Sequence, residues 1–220
     1  LFKSTLFLFI SAFLDFYVFS AAKYAIDARM NDAASGYFNL IFMPTSVIYM
    51  VANFVIRPFL TRLTDLWTGR DYDCFKKLMR IGAIILGLTV LAVGATAVLG
   101  KWVLSVMEMI LGSGYEGRLV SYYGAFIIIV LGGGFYALAN LMYYALVIMR
   151  RQKAIFTVYL AAAAAAAVLS GFLVSKFGIN GAAGCYLLLM IGLVIGFGLY
   201  TAGAYQSEKK ENAGNGGSNT

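Results

Sequence analysis

Residues 37–80 read YFNLIFMPTSVIYMVANFVIRPFLTRLTDLWTGRDYDCFKKLMR: an apolar run over 37–56 leads into Arg57, Arg62, Arg70, Lys76, Lys77 and Arg80. A helix needs roughly 20 apolar residues to cross the hydrocarbon core of a bilayer, so 37–56 is long enough to span. The basic residues after it mark one side of the membrane, because Lys and Arg accumulate in cytoplasmic loops. Working outward, similar apolar runs fall near 5–22, 81–99, 121–148, 154–175 and 183–205. The connections between them are alternately rich and poor in Lys and Arg. Lys3, the six basic residues of 57–80, Arg150, Arg151, Lys153, Lys209 and Lys210 share one side; Lys23, Arg29, Lys101, Arg118 and Lys176 hold the other. Twelve of the 17 basic residues therefore lie on the first side. An even number of crossings with both termini in the cytoplasm produces this asymmetry. The expected fold is all-α: a polytopic membrane protein with a bundle of six transmembrane helices over 1–205.

Composition agrees with that class. The chain is 61% hydrophobic and only 12% charged, where soluble proteins average about a quarter charged. Its net charge of +7 lies mostly on the expected cytoplasmic side, where it meets anionic lipid heads rather than nucleic acid. Histidine is absent, which removes the usual proton shuttle, the commonest metal ligand and any Ser-His or Cys-His pair. Cys74 and Cys185 fall on a cytoplasmic loop and in the last span, so no structural disulfide is expected. The first run resembles a signal peptide in length, but Asp15 interrupts it and five more spans come after it. Residue 1 is leucine, which suggests a piece of a longer protein. Residues 206–220 are polar and rich in Gly and Asn, as in a disordered cytoplasmic tail.

Without water in the bilayer core, each run must satisfy its backbone internally and therefore form a helix. In the elbow 57–80, Phe59, Leu60, Leu63, Leu66 and Trp67 recur at helical spacing, with Arg62 and Asp65 opposite. That pattern predicts a short amphipathic helix at the membrane surface. Gly69 ends it, Asp71 or Asp73 caps a second helical stretch, and Asp73 and Lys77 form an i,i+4 pair within that stretch. The stretch Ala161–Ala167 and the pair Gly192 and Gly196 read as close helix packing. Gly132, Gly133, Gly134 and Pro44 are candidate kinks.

Few polar groups lie within the runs. Asp15 falls near the middle of the first, where a carboxylate costs about 2.5–3.5 kcal/mol to insert, so it should face a cavity, a partner or water. Ser11 lies one turn earlier on the same face, and Lys23 lies two turns later, about 80° around the helix. Lys23 either projects into an aqueous cavity and meets an anion, or is an interfacial lysine paired with Asp27; Arg29 and Asp32 come close behind. Asn140 and Asn53 sit inside the fourth and second spans, where amides commonly bond to neighbouring helices. Arg57-Pro58 and Arg150-Arg151 read as boundary anchors. Phosphate loops and metal-ligand spacings are missing, so neither catalysis nor a cofactor or metal is expected.

Three stretches resemble the polysaccharide (Wzx-type O-antigen) flippases of bacteria, which are related to multidrug and toxic-compound extruders. They are Lys23-Tyr24-Ala25-Ile26-Asp27 with Gly36-Tyr37-Phe38; Arg57-Pro58-Phe59-Leu60-Thr61-Arg62-Leu63 leading to Phe75-Lys76-Lys77; and Phe177-Gly178-Ile179-Asn180-Gly181-Ala182-Ala183. The resemblance covers the chain to about residue 205 and implies the carboxyl-terminal lobe of a two-lobe, inverted-V transporter in the bacterial cytoplasmic membrane. Its partners would be membrane lipid, a missing amino-terminal lobe and an undecaprenyl-pyrophosphate-linked oligosaccharide. Such repeat architectures work by alternating access. The resemblance places Lys23 at the cavity with Asp27 orienting it, while Asp15 and Asn140 complete the candidate site. Two rival readings stay open: a cation-coupled drug exporter that uses Asp15, and a non-transporting scaffold of polysaccharide assembly.

Overall fold

A computed structural model of the chain describes the backbone over 2–68, 73–111 and 118–215, and side chains over 6–67, 76–110 and 118–206. The side chains of Lys3, Arg70, Asp71, Asp73, Cys74, Lys209 and Lys210 lie outside those ranges. The described residues form helices only: α1 (Phe2–Arg29), α2 (Asp32–Thr68), α3 (Asp73–Leu111), α4 (Arg118–Ser121), α5 (Tyr123–Ile148) and α6 (Gln152–Asn215). All but the four-residue α4 are long and apolar enough to cross a membrane, as a multi-pass membrane protein requires.

α6 is two helical arms. Gly178 takes φ 56° and ψ −133°, a left-handed backbone that glycine adopts without penalty. The chain doubles back there: Gly196 sits against Val158, and Gly181 packs on the Leu173 carbonyl across the turn. Tyr159 and Phe197 meet edge-on at 5.1 Å between ring centroids. The two arms, 152–177 and 179–215, therefore run antiparallel, matching the fifth and sixth apolar runs. The second arm continues helically to Asn215, past the start of the expected tail at 206. Adding a residue to an existing helix costs far less than nucleating one.

The other long helices also alternate in direction. Phe19 meets Phe42 at 5.2 Å and the Ser35 hydroxyl donates to Asp27, which sets α1 and α2 antiparallel. The Tyr123 hydroxyl donates to the Ala97 carbonyl at 2.5 Å, and Gly82 faces Leu138 and Leu141, so α3 runs against α5. The described chain thus makes six passes of the bundle. Arg57, Arg62, Lys76, Lys77, Arg80, Arg150, Arg151 and Lys153 gather at one end; Lys23, Arg29, Lys101, Arg118 and Lys176 gather at the other. The alternation of charge along the chain is a spatial sorting in the fold.

α5 is the axis of the bundle. Gly132, Gly133 and Gly134 are buried in an unbroken helix and face three different neighbours. A Cβ on Gly132 would lie 2.7 Å from the Tyr186 ring of α6; on Gly133 it would lie 3.3 Å from Ile48 of α2; on Gly134 it would collide with Thr89 of α3. Successive residues turn by about 100° on a helix, so three consecutive glycines let three helices approach at one level. They produce close contact, and neither they nor Pro44 and Pro58 interrupt their helices. In lipid, such packing takes over from the hydrophobic effect as the force between helices. The buried threonine hydroxyls are satisfied within their own helices: Thr45 donates to Phe42 O, Thr89 to Ile85 O and Thr201 to Phe197 O.

The ends are fastened individually. α2 continues through Pro58 to Thr68, so the apolar edge of the expected surface helix forms a stem with α3, where Leu63 clusters with Leu78 and Ile81. At the opposite end, Glu108 accepts the Leu119 N–H at 2.5 Å and caps α4. Arg29 donates to the Ser175 hydroxyl at 2.6 Å, tying α1 to α6. α5 ends in a turn with Arg150 N–H to Val147 O and Arg151 N–H to Leu146 O, the paired bonds of a Schellman motif. Arg150 occupies the position usually held by glycine, at φ 55°.

Substitution should separate contact glycines from idle ones. Gly134→Ala is expected to destabilise the bundle by about 1–3 kcal/mol through overpacking. Gly192, with nothing within 4 Å of a Cβ, should tolerate Ala or gain up to about 1 kcal/mol of helix propensity. Equilibrium unfolding of the two variants in mixed detergent micelles measures the contrast.

Candidate functional site

Ser11, Asp15, Phe19, Lys23 and Asp27 follow one another along α1 at four-residue steps, a stripe that winds about 40° per step. Lys23 and Asp15 are separated along that stripe by an aromatic layer. Phe19 packs on Phe42, Tyr136 and Tyr186 with centroids at 5.2, 5.0 and 5.9 Å, and Phe42 meets Tyr186 at 4.9 Å. On one side of the layer the Lys23 ammonium lies 4.8 Å from the Phe42 ring centroid. That cation–π contact holds the half-buried lysine against the layer. Asp27, one turn on, is exposed and accepts the Ser35 hydroxyl. The structure therefore seats Lys23 on Phe42 and Asp27 on Ser35, with the Asp27 carboxylate also acting on the Lys23 ammonium.

On the other side, Asp15 reaches into the bundle. Its Oδ2 accepts the Tyr136 hydroxyl at 3.0 Å, and Tyr159 of α6 presents a second hydroxyl to the carboxylate. Asp15 Oδ1 is nevertheless buried with no hydrogen-bond partner, and so is the Tyr186 hydroxyl. Buried polar groups nearly always find partners. These are the two buried side-chain polar atoms without a protein partner among the described residues.

Tyr136 also connects α1 to α2, because its ring lies 5.2 Å from that of Tyr49. From there a polar seam runs along two matched stripes toward the basic end. α5 contributes Tyr136, Asn140, Tyr143 and Tyr144; α2 contributes Tyr49, Asn53 and Arg57. Across the seam, Asn140 Nδ2 donates to Asn53 Oδ1 at 3.4 Å, and Asn53 Nδ2 donates to Tyr49 O at 2.9 Å. Tyr49, Asn140, Tyr143 and Tyr144 are only half-buried, so the seam is open along part of its length. The Arg57 guanidinium acts on Tyr144 at its end.

All four residues singled out from the sequence thus lie along α1 or this seam. Asp15 and Asn140 belong to the seam and Lys23 and Asp27 to the opposite side of the aromatic layer. The tyrosines were not anticipated as site residues. Their signal was present: Tyr49, Asn53 and Arg57 recur at four-residue steps, and Tyr136, Asn140 and Tyr143 at four and three, so each set shares one helical face. Among the described residues no cluster of three or more metal-ligating side chains occurs.

Comparison with protein-family models, with curated proteins and with solved structures found no match.

Removing the hydroxyl that holds Asp15 should be costly. Tyr136→Phe removes the hydrogen bond to Asp15 Oδ2 and should lower stability by about 1–3 kcal/mol. Tyr17→Phe, on an exposed ring of α1, should change it little. Unfolding of the two variants side by side in detergent checks the difference; equal stabilities would remove the Tyr136–Asp15 bond from the account.

Proposed function

We propose that this chain is one lobe of a transporter that carries lipid-linked oligosaccharides across a bacterial cytoplasmic membrane by alternating access. The observation that supports it best is the half-open polar seam of Asp15, Tyr49, Asn53, Tyr136, Asn140, Tyr143 and Tyr144 inside an otherwise apolar bundle. A sugar chain crossing the bilayer must exchange its water for other hydrogen-bond partners. Amides and phenols supply donors and acceptors, and tyrosine rings supply flat apolar faces for the C–H surfaces of sugars. Cations stand at both ends of the route, Lys23 beyond the aromatic layer and Arg57 at the basic end. Either one suits the pyrophosphate of an undecaprenyl-type carrier through charge-assisted hydrogen bonds.

In this reading the basic end is cytoplasmic, by the positive-inside rule, and both termini lie there. A partner lobe faces the seam and the exposed aromatic flank of α1, where Phe9, Phe13 and Phe16 are each more than 60% exposed. Alternation swaps the end at which the seam meets water. The lobe binds and moves cargo and breaks no bond.

A second reading, cation-coupled drug export, draws on a specific observation. Asp15 Oδ1 and the Tyr186 hydroxyl are unmet, so together they can take up a small cation or proton from which export draws energy. The cargo would then be an amphipathic drug stacking on the tyrosines.

The two readings separate in cells carrying the intact gene. Lys23→Glu should abolish surface polysaccharide while membrane expression stays normal, and undiminished polysaccharide would exclude Lys23 from the route. Drug resistance conferred by the wild-type gene and lost with Asp15→Asn would favour export instead.

A further inference from the structure

A cleft of about 630 Å³ opens at the basic end, between α1 and α6. Its rim is the turn from α5 into α6: Arg150, Arg151 and Lys153. Its wall is apolar and continuous with the spans, formed by Phe7 of α1 and by Leu199, Tyr200 and Ala204 of the second α6 arm. Among the described residues no carboxylate lines it. We propose that this cleft is a binding site for an anionic phospholipid, with the phosphate held by Arg150, Arg151 and Lys153 and an acyl chain lying along Leu199 and Tyr200.

Three observations converge on that occupant. The first is charge: three exposed cations stand within four residues at one lip, and a lone topology marker requires neither a cleft nor such crowding. A phosphate shared among several cations forms short, charge-assisted hydrogen bonds, for which the arginine fork is well shaped. The second is layout. The cations stand at the end of the bundle and the apolar wall runs down its side, so the site changes from polar to apolar along the span direction, as a phospholipid does. Leu199 is 70% exposed and Tyr200 45% exposed, which leaves that wall free to take an acyl chain. The third is backbone. Arg150 holds φ 55°, a conformation unfavourable for any residue but glycine and a few polar ones. Strained positions of this kind concentrate at functional sites, and here the strain keeps an arginine where glycine would complete the turn more easily. The volume falls within the usual range for a small-molecule site, about 300–1,000 Å³.

The cleft lies apart from the polar seam. It is built from α1, α6 and the α5–α6 turn, whereas the seam runs between α2 and α5. Occupancy would join the start of α1 to both arms of α6 and favour one position of these helices over another, without contact to cargo.

Native mass spectrometry of the full chain in detergent tests the site, with dioleoyl-phosphatidylglycerol, dioleoyl-phosphatidylcholine and sodium phosphate as separate probes. Phosphatidylglycerol should form a one-to-one adduct with affinity at least about tenfold above that of phosphatidylcholine, given the worth of each basic residue near an anionic lipid. The variant Arg150→Gly with Lys153→Gln should lose about thirtyfold for two charges. Glycine suits the turn, so this variant should fold at least as well as the wild type. Lys101→Gln with Lys176→Gln removes two charges from the opposite end and should leave the adduct unchanged. Equal binding of the two lipids by the wild type would overturn the proposal. So would an undiminished phosphatidylglycerol adduct in the Arg150 and Lys153 variant, or displacement of the lipid by millimolar sodium phosphate, which would mark a site for free anions.

Discussion

The bundle depends on three consecutive residues without side chains. At Gly132, Gly133 and Gly134, one helix touches α6, α2 and α3 at the same level, with a Tyr186 ring, Ile48 and Thr89 filling the space that Cβ atoms would take. Water does not drive helices together inside a bilayer, so association relies on how closely surfaces fit. Glycine allows the closest approach, and three in a row turn α5 into a hub. The remaining ties sit farther out: Arg29 to Ser175, Glu108 to the start of α4, and the Leu63–Leu78 stem. They fasten the ends of helices whose positions the hub has already set.

The hub also determines where polar groups can lie. Tyr186, drawn in against Gly132, joins Phe19 and Phe42 in the aromatic layer that divides Lys23 from Asp15. One turn beyond the glycines, α5 presents Tyr136 to Asp15, and another turn on it presents Asn140 to Asn53. A carboxylate in a span is expensive, and here Tyr136 answers one of its two oxygens while Oδ1 has no hydrogen-bond partner. The fold tolerates that deficit at one point and surrounds it with hydroxyls.

Much of this was legible in the chain. The apolar runs and the alternation of Lys and Arg predicted the passes, because both reflect the bilayer as solvent. The lengths of the helices were less legible. The run 81–99 lies within a helix spanning 73–111, and 37–56 within one spanning 32–68. Hydropathy marks where lipid begins, whereas a helix ends where its hydrogen bonding stops. Gly132–Gly134 stood out as glycines, but whether a glycine bends a helix or admits a neighbour depends on what lies across from it. Asp15 was visible by its depth. Its partner Tyr136 was not, since tyrosines also populate membrane interfaces and 15 are spread along the chain. Arg150 looked like a topology anchor; its left-handed backbone and the cleft beside it exist only in the folded chain.

The sixth pass, and the separation of Lys176 from Arg150, Arg151 and Lys153, rest on the reversal at Gly178, which converts one long α6 into two antiparallel arms and leaves the α5–α6 turn and the Gly178 turn at opposite ends of the bundle. Labelling of intact cells with a membrane-impermeant maleimide tests this directly, using Lys176→Cys and Arg151→Cys in turn in a chain whose own Cys74 and Cys185 are replaced by Ser. The account predicts labelling of the position at 176 from outside, and of the position at 151 only after the membrane is opened. Labelling of both from the same side would contradict it.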